Sequence, residues 1–221
     1  MARGRLITIE GLDGAGKTTL ATGLERALAP RVGAIRVLRE PGGVELAERV
    51  RALVKDPGLR VGARAEALLY AAARAQLVEE RLTPLLAAGT IVILDRFVDS
   101  SLAYQGGGRA LGVGEVRAIN LFATGNLQPD RTLLLRISPA DGRARLEART
   151  LAASAPAAGV PPDIAIGPDR LEGEGDAFFA AIADAYEELA QVEPERIRAI
   201  DASRPPEDVL RDALAAVQDL L

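Results

Sequence analysis

The chain alternates short apolar runs with longer amphipathic stretches. TIVIL at 90–94 is the clearest strand, because it is continuous, apolar and β-branched, as expected of a central strand buried on both faces. Similar runs predict strands at 5–9, 34–38, 131–137 and 196–200. Helical spacing predicts helices at 17–28, 45–54, 63–88, 100–104, 113–123, 139–150, 178–191 and 206–220. Strands alternating with helices predict one α/β domain over 1–221, with a five-stranded parallel sheet covered on both faces, in three layers α/β/α.

The segment 151–175 interrupts this alternation. It contains four prolines and four glycines among small residues and shows no periodicity. An ordinary surface loop is one interpretation. A mobile lid is the other, because loops this long in compact domains are usually functional or disordered. Arg143, Arg145 and Arg149 precede the segment and Arg170 lies within it. These four arginines favour a flexible lid over about 143–175.

Composition excludes several classes of protein. The 221 residues suffice for one α/β core, and 48% hydrophobic residues is a globular value. The net charge of −4 argues against nucleic-acid binding. The sequence has no Cys and no His, which excludes disulfides and thiolate sites and removes the commonest general base. No signal-peptide core starts the chain, and the longest apolar run, 82–94, is interrupted and too short to span a membrane. We expect a cytoplasmic enzyme that binds neither nucleic acid nor membrane.

The octet GLDGAGKT at 11–18 fits the phosphate-binding loop G-x-x-x-x-G-K-[ST]. A glycine-rich turn would match this pattern by accident in about one chain in a hundred, and the predicted strand before it and helix after it lower those odds. Backbone N–H groups would bind phosphates, Lys17 would reach the β- and γ-phosphates, and Thr18 would hold Mg²⁺. The fold is then of the P-loop NTP hydrolase type. The predicted triphosphate-binding residues are Gly11, Leu12, Asp13, Gly14, Ala15, Gly16, Lys17, Thr18 and Thr19.

A second candidate site follows the strand at 90–94. Ligands of open α/β sheets gather outside the carboxyl ends of strands, where this chain has Asp95 and Arg96. Asp95 can join the Mg²⁺ shell or orient a phosphate, and Arg96 can bind an acceptor phosphate through two hydrogen bonds. A structural ion pair near a strand end is the alternative.

Together these motifs resemble the bacterial thymidylate kinase (dTMP kinase) family. The resemblance spans nearly the whole chain, through EGLDGAGKTT at 10–19, REPGG at 39–43, YAAARAQ at 70–76, DRFVDSSLAYQGGGR at 95–109 and DRLE at 169–172. It implies a homodimeric enzyme that transfers the γ-phosphate of ATP to dTMP, with Mg²⁺, in dTTP biosynthesis.

The resemblance also implies roles for individual residues. Asp13 would lie near the sugar 3′-hydroxyl and the magnesium. Tyr70 would stack on thymine, Arg74 would reach a base carbonyl, and Tyr104 would crowd the ribose 2′ position. The implied dTMP-binding residues are Asp13, Arg39, Pro41, Arg51, Tyr70, Arg74, Arg96, Ser101, Tyr104 and Gln105. The implied metal ligands are Thr18, Asp95 and Asp13.

Some residues depart from the pattern of the family. Gly14 stands where some members carry an arginine inside the phosphate loop, so the resemblance implies that the lid supplies that arginine. The segment 151–167 is longer than the lid of relatives, and we rank Arg149 and Arg170 above Arg143 and Arg145 for this role. Tyr70 stands where a phenylalanine is usual, and Arg136 has no assigned role. The predicted catalytic residues are Lys17, Asp13, Arg96, Arg149 and Arg170.

Two other functions fit a phosphate loop. One is a P-loop kinase for UMP, AMP or a deoxynucleoside, against which the pyrimidine-reading set Arg74, Ser101 and Gln105 argues, as does Tyr104. The other is a non-catalytic nucleotide switch of the GTPase kind. The sequence has no N-K-x-D motif, and no D-x-x-G follows 92–94.

Overall fold

The computed structural model describes residues 3–153, 170–171 and 173–221. Residues 154–167 of the predicted insertion at 151–167 lie outside the described residues, as do residues 1, 2, 168, 169 and 172. Of the DRLE motif at 169–172, only Arg170 and Leu171 are therefore described.

Five parallel strands form one sheet in the order β2-β3-β1-β4-β5. The strands are β1 Leu6–Gly11, β2 Ile35–Arg39, β3 Ile91–Asp95, β4 Arg131–Arg136 and β5 Ile197–Asp201. Each lies within two residues of its predicted bounds. Ile91 to Leu94 is buried throughout, as the continuous apolar run predicted. The predicted five-stranded parallel α/β sheet is confirmed.

Helices cover both faces of this sheet. They are α1 Lys17–Leu28, α2 Glu45–Lys55, α3 Ala63–Leu77, α4 Thr83–Ala87, α5 Val98–Ser101, α6 Val113–Thr124, α7 Pro139–Ala153, α8 Asp176–Val192 and α9 Pro206–Val217. One apolar core lies between the sheet, α1 and α9. The other lies between the opposite face and helices α2 to α6 and α8. Within the described ranges, no helix combines the length and the apolar character needed to cross a bilayer.

Two predicted helices differ from the structure. The single helix expected at 63–88 is α3 followed by a π-helical segment, Val78–Leu82, and then α4. The N–H of Thr83 donates to the carbonyl of Val78, five residues back, and the next residue is Pro84, which has no N–H to continue a regular ladder.

The helix expected at 100–104 begins earlier, as α5, and continues as a second π-helical segment, Leu102–Gly108. This segment packs closely on α8. A Cβ atom on Gly107 would lie 2.7 Å from the Cβ of Ala185, and one on Gly108 would lie 2.7 Å from the ring of Phe178. The glycines therefore allow the close approach that fixes Tyr104 and Gln105, one turn earlier.

The strand register brings the predicted sites to one edge. The Cα of Asp95 pairs with Ile9 on β1 and with Arg39 on β2. The phosphate loop, the REPGG turn and the turn after β3 therefore meet outside the carboxyl ends of three adjacent strands. This is where ligands of open α/β sheets bind.

Candidate active site

A cleft of about 1580 Å³ opens at this edge of the sheet. Eighteen of the predicted site residues line it: Asp13, Gly14, Ala15, Gly16, Lys17, Thr18, Thr19, Arg39, Pro41, Arg51, Tyr70, Arg74, Asp95, Arg96, Ser101, Tyr104, Gln105 and Arg149. Gly11 and Leu12 do not line the cleft, and their carbonyls accept hydrogen bonds from Lys17; Arg170 does not line it either.

Lys17 is buried at the start of α1. Its Nζ donates to the carbonyls of Gly11 at 3.1 Å and Leu12 at 2.8 Å, and lies 3.8 Å from Oδ1 of Asp13. Burial and the neighbouring charge of Arg96 lower the pKa of Lys17 to about 8. The loop thus holds a cation against its own main chain, at the N-terminus of a helix whose free N–H groups attract phosphate.

Thr18 and Asp95 contact each other across the cleft. The Thr18 hydroxyl donates to Oδ2 of Asp95 at 2.9 Å, joining α1 to the end of β3. The third predicted metal ligand, Asp13, lies instead with Arg96 and Tyr104. A hydroxyl beside one carboxylate is the oxygen donor set that Mg²⁺ uses together with phosphates and water.

Asp13, Arg96 and Tyr104 form a triangle. Arg96 Nη2 lies 2.7 Å from Oδ1 of Asp13, and the Tyr104 hydroxyl lies 3.2 Å from both partners. Burial would raise the pKa of Asp13, but the charges of Arg96 and Lys17 outweigh it and hold that pKa below its usual value. The guanidinium of Arg96 also lies 5.0 Å from the centre of the Tyr104 ring. Tyr104 is therefore fixed at both its ring and its hydroxyl.

A buried carboxylate that was not predicted from the sequence, Glu10, supports this triangle. Glu10 accepts hydrogen bonds from the N–H of Phe97 at 2.7 Å, Ser100 Oγ at 2.5 Å and the Tyr186 hydroxyl at 3.0 Å. Burial, followed by the nearby charge of Asp99, raises the pKa of Glu10 to about 7. Ser100 Oγ also accepts a hydrogen bond from Arg96 Nη1 at 3.0 Å. Glu10 therefore helps to position Arg96 through Ser100. The available signal was an acidic residue directly after the apolar run 5–9, between that run and the phosphate loop.

Arg74 is buried and bound on every side. Its Nε donates to Oε2 of Glu40 at 2.7 Å, its Nη1 to Ser101 Oγ at 2.9 Å and to Oδ1 of Asn120, and its Nη2 to the carbonyl of Phe97 at 2.9 Å. Burial raises the pKa of Glu40 to about 7, against the opposing charge of Arg74. Glu40 and Asn120 were not predicted. Their contacts fix the guanidinium beside Ser101 in the predicted base pocket.

The remaining predicted acceptor residues line the same part of the cleft. Arg51 Nη1 donates to the carbonyl of Pro41 at 3.0 Å, which ties α2 to the REPGG turn. Arg39 Nη2 pairs with Oε1 of Glu48 at 2.9 Å, and both side chains are exposed. Tyr70 is half-buried on α3. Arg39, Arg51 and Tyr70 thus line the same cleft as Arg96.

Comparison with known proteins agrees with this arrangement. Residues 9–213 match the family model of thymidylate kinase. The chain belongs to the thymidylate kinase family. It is 43% identical over 218 residues to a thymidylate kinase of Lactobacillus delbrueckii subsp. bulgaricus, covering 98% of this chain and 96% of that protein. It is 41% identical over 219 residues to a thymidylate kinase of Deinococcus radiodurans, covering 99% and 98%.

A solved structure shares the fold. The crystal structure of thymidylate kinase from Ehrlichia chaffeensis matches with a TM-score of 0.76 over 98% of this chain and 99% of that chain, at 24% sequence identity. The family suggested by the motifs is confirmed, and membership in the thymidylate kinase family argues against the switch and against the other P-loop kinases.

At position 14 the phosphate loop of this chain has no room for an arginine of its own. Gly14 has a φ of +82°, and a Cβ there would lie 2.1 Å from the carbonyl oxygen of Gly142 on α7. Arg145 and Arg149 follow on the same helix, four residues apart and so on one face, and both line the cleft. Arg143 pairs instead with Asp176 at the surface. The helix that excludes a loop arginine therefore carries two arginines along the cleft.

Arg170 is bound away from the cleft. Its Nη2 lies 2.6 Å from Oε2 of Glu66 and its Nε donates to the carbonyl of Val54 at 3.0 Å. Arg149 and Arg170 were ranked first, and of these two only Arg149 lines the cleft. Arg145, which was ranked lower, lines it as well. Arg136, which had no assigned role, pairs with Glu187 on α8 and so links β4 to that helix.

Proposed function

We propose that this cleft transfers the γ-phosphate of ATP to dTMP, giving dTDP and ADP in dTTP biosynthesis. The observation that carries the proposal is the triangle of Asp13, Arg96 and Tyr104. It joins the phosphate loop to the segment that carries Ser101 and Gln105, so that a triphosphate and a pyrimidine monophosphate would meet at Arg96. Membership in the thymidylate kinase family supports the same reaction.

Positioning and charge would supply the catalysis. ATP would bind on the residues of 11–19, with its phosphates at the N-terminus of α1 and beside Lys17. Arg96 would bind the acceptor phosphate, and Arg149 would neutralise charge on the moving phosphoryl group. Bringing both phosphates into line within one cleft removes much of the entropic barrier. Closure of a lid over them would exclude water as a competing acceptor.

The oxygen donors at the end of β3 fit a magnesium ion. Thr18 and Asp95 would hold it, since their oxygens lie 2.9 Å apart beside the phosphate loop. Magnesium binds through one or two carboxylates and the substrate phosphates, and it would offset the charge of the β- and γ-phosphates. Asp13, the third predicted ligand, is bound to Arg96, and we propose for it the contact with the sugar 3′-hydroxyl.

The acceptor would be read at its base and its sugar. Tyr70 would stack on the thymine ring, and Arg74, Ser101 and Gln105 would bind its polar edge. Tyr104 would exclude a 2′-hydroxyl, because its ring is held in place by Arg96 and by edge contacts with Phe178 at 6.3 Å and Tyr186 at 6.5 Å between ring centres.

We also propose that the chain acts as one kinase domain over 1–221 and as a cytoplasmic homodimer. All five strands belong to one sheet, which supports a single domain. Leu68 on α3 is 56% exposed and Phe122 on α6 is 92% exposed, and these two helices pack on each other. A Phe this exposed favours a protein partner.

A substrate panel tests the proposed function. Purified protein is assayed for ADP release with ATP, Mg²⁺ and, in turn, dTMP, dUMP, UMP and AMP. We expect the highest kcat/KM with dTMP and little activity with UMP or AMP. Equal turnover of all four acceptors, or preference for AMP, would contradict the proposal. ADP release without any acceptor would point to a nucleotide switch.

A further inference from the structure

Glu66 is a buried carboxylate that the proposed reaction leaves without a role. It lies in the first turn of α3 and is fully buried. Its Oε1 accepts a hydrogen bond from Nε2 of Gln105 at 2.8 Å. Its Oε2 lies 3.1 Å from Nη2 of Arg109 and 2.6 Å from Nη2 of Arg170. Three elements therefore converge on one carboxylate: α3, the π-helical segment that carries Gln105, and the chain after the insertion.

This contact fixes which end of the Gln105 amide faces the cleft. An amide side chain has a donor end and an acceptor end, and rotation by half a turn exchanges them. A carboxylate between two guanidinium groups offers only acceptors, so Gln105 must turn its NH₂ toward Glu66. Gln105 is itself 2% exposed and lines the cleft. Its oxygen is then the end that remains for a ligand.

The chemistry of pyrimidines makes this orientation selective. Thymine and uracil carry a hydrogen at N3, which a glutamine oxygen can accept. Cytosine has a lone pair at N3, which would face that oxygen without a hydrogen. A site built to accept a hydrogen bond rejects an analogue that cannot donate it, because buried polar groups are left unpaired.

We propose that Glu66 is a positioning residue that sets base specificity: it holds Nε2 of Gln105, so that the glutamine oxygen accepts the N3–H of the pyrimidine. This inference rests on the proposed function. Glu66 acts only through Gln105 and touches no substrate. Its two arginines have further partners, since Arg109 also pairs with Glu174 and Arg170 with the carbonyl of Val54. Either arginine can be replaced while the hydrogen bond between Glu66 and Gln105 is kept.

The test compares dTMP with 5-methyl-dCMP, which differs from dTMP only at N3 and the 4-substituent. The ratio of their kcat/KM values is measured for the wild type, Glu66→Gln, Gln105→Met and the double variant. Dissociation constants replace kcat/KM where turnover of the cytosine nucleotide is too slow. The amide introduced by Glu66→Gln can present either a donor or an acceptor to Gln105, so the side chain of Gln105 is free to turn. We expect Glu66→Gln to lower the preference for dTMP by about 10-fold.

Two comparisons separate this from a structural role. In the Gln105→Met background, Glu66→Gln should leave the ratio unchanged, because the residue through which it acts is gone. Arg109→Met disturbs the same buried cluster but keeps the contact between Glu66 and Gln105, so it should retain the wild-type ratio, with thermal melts to report any loss of stability.

Three results would overturn the inference. They are an unchanged ratio in Glu66→Gln, an equal change in the Gln105→Met background, and the same change in Arg109→Met. A wild type that does not phosphorylate dTMP would instead overturn the proposed function, and the inference with it, before any variant is compared.

Discussion

Asp13 and Arg96 form an ion pair, with 2.7 Å between Oδ1 and Nη2, that connects the phosphate loop to the turn after β3. Arg96 occupies a left-handed backbone conformation, with φ of 69°, which is uncommon for a residue with a side chain. Its guanidinium thus reaches Asp13, Ser100 and Tyr104 from a strained position. Strain of this kind persists where the surroundings fix it, and it clusters at active sites.

The first prediction concerns this pair. Arg96→Gly and Arg96→Ala should both lower kcat/KM for dTMP by at least about 100-fold, because each removes the group that binds the acceptor phosphate. Arg96→Gly should be the more stable of the two by about 1 kcal/mol, since glycine adopts a positive φ without strain. Kinetics and urea unfolding of both variants test this. Equal stability of the two variants would contradict the second part of this prediction, because the positive φ at position 96 would then cost alanine nothing.

Lys17→Ala should keep the fold and lower kcat by orders of magnitude. The change removes a cation from the β- and γ-phosphates in the transition state. The other lysine, Lys55, provides a matched control, because it also lines the cleft but lies at the end of α2, outside the phosphate loop. Lys55→Ala should have the smaller effect. Near-normal turnover by a folded Lys17→Ala protein would contradict the assignment of the phosphate loop.

The pH dependence should reflect the same lysine. Because the pKa of Lys17 is lowered to about 8, the free protein loses this cation as the pH rises through that value. We predict that kcat/KM for ATP falls above about pH 8, since the neutral amine attracts phosphate less. Bound phosphates would raise the pKa of Lys17, so kcat at saturating ATP should fall only at higher pH. A kcat/KM that stays flat well above pH 8 would exclude this lysine as the titrating group.

Sugar selectivity should depend on the Tyr104 ring rather than on its hydroxyl. Tyr104→Ala should lower the ratio of kcat/KM for dTMP to kcat/KM for its ribose analogue, because loss of the ring opens space beside the 2′ position. Tyr104→Phe keeps the ring and loses only the hydrogen bonds to Asp13 and Arg96. We expect it to retain the selectivity. If both variants select the sugar as the wild type does, discrimination lies elsewhere.

Among the arginines before the insertion, Arg149 and Arg143 form a matched pair. Both lie on α7. Arg149 lines the cleft, whereas Arg143 pairs with Asp176 of α8 at the protein surface. Arg149→Ala should lower kcat by about 100-fold with little change in the KM for dTMP, as expected of a charge that acts on the transition state. Arg143→Ala should keep near-normal kcat. Arg170→Ala should act mainly on stability, because Arg170 binds Glu66. A larger loss of kcat in Arg143→Ala than in Arg149→Ala would contradict the role proposed for Arg149.

The sequence predicted the sheet well because each strand is a local apolar run. The helices were predicted less well where neighbours decide their form. The π-helical segment Leu102–Gly108 depends on its close packing against α8, about 80 residues later in the chain, and no local periodicity reports that contact. The helix at 63–88 was predicted without interruption, although Pro84, which lacks an N–H, stands just after the π-helical segment Val78–Leu82.

Candidate site residues were recognised where they belong to contiguous motifs. Lys17, Asp95 and Arg96 come from such motifs and line one cleft, and their roles stay predictions. Their supporting residues were missed, because Tyr186 lies 176 positions from its partner Glu10, a contact that only the folded chain creates. Arg170 was ranked for catalysis from its charge and its place within the predicted lid. Its contact with Glu66 could not be predicted from the sequence, because the two residues are 104 positions apart and nothing beside Arg170 distinguishes it from the other arginines of the chain.

The fate of the γ-phosphate of ATP decides whether this protein phosphorylates dTMP. ATP labelled at the γ-phosphate is incubated with the protein, Mg²⁺ and dTMP, and the products are separated and identified. We expect the label to move to the β-position of dTDP in proportion to the ADP formed, with little inorganic phosphate. Label found mainly as inorganic phosphate, or no dTDP at all, would contradict it.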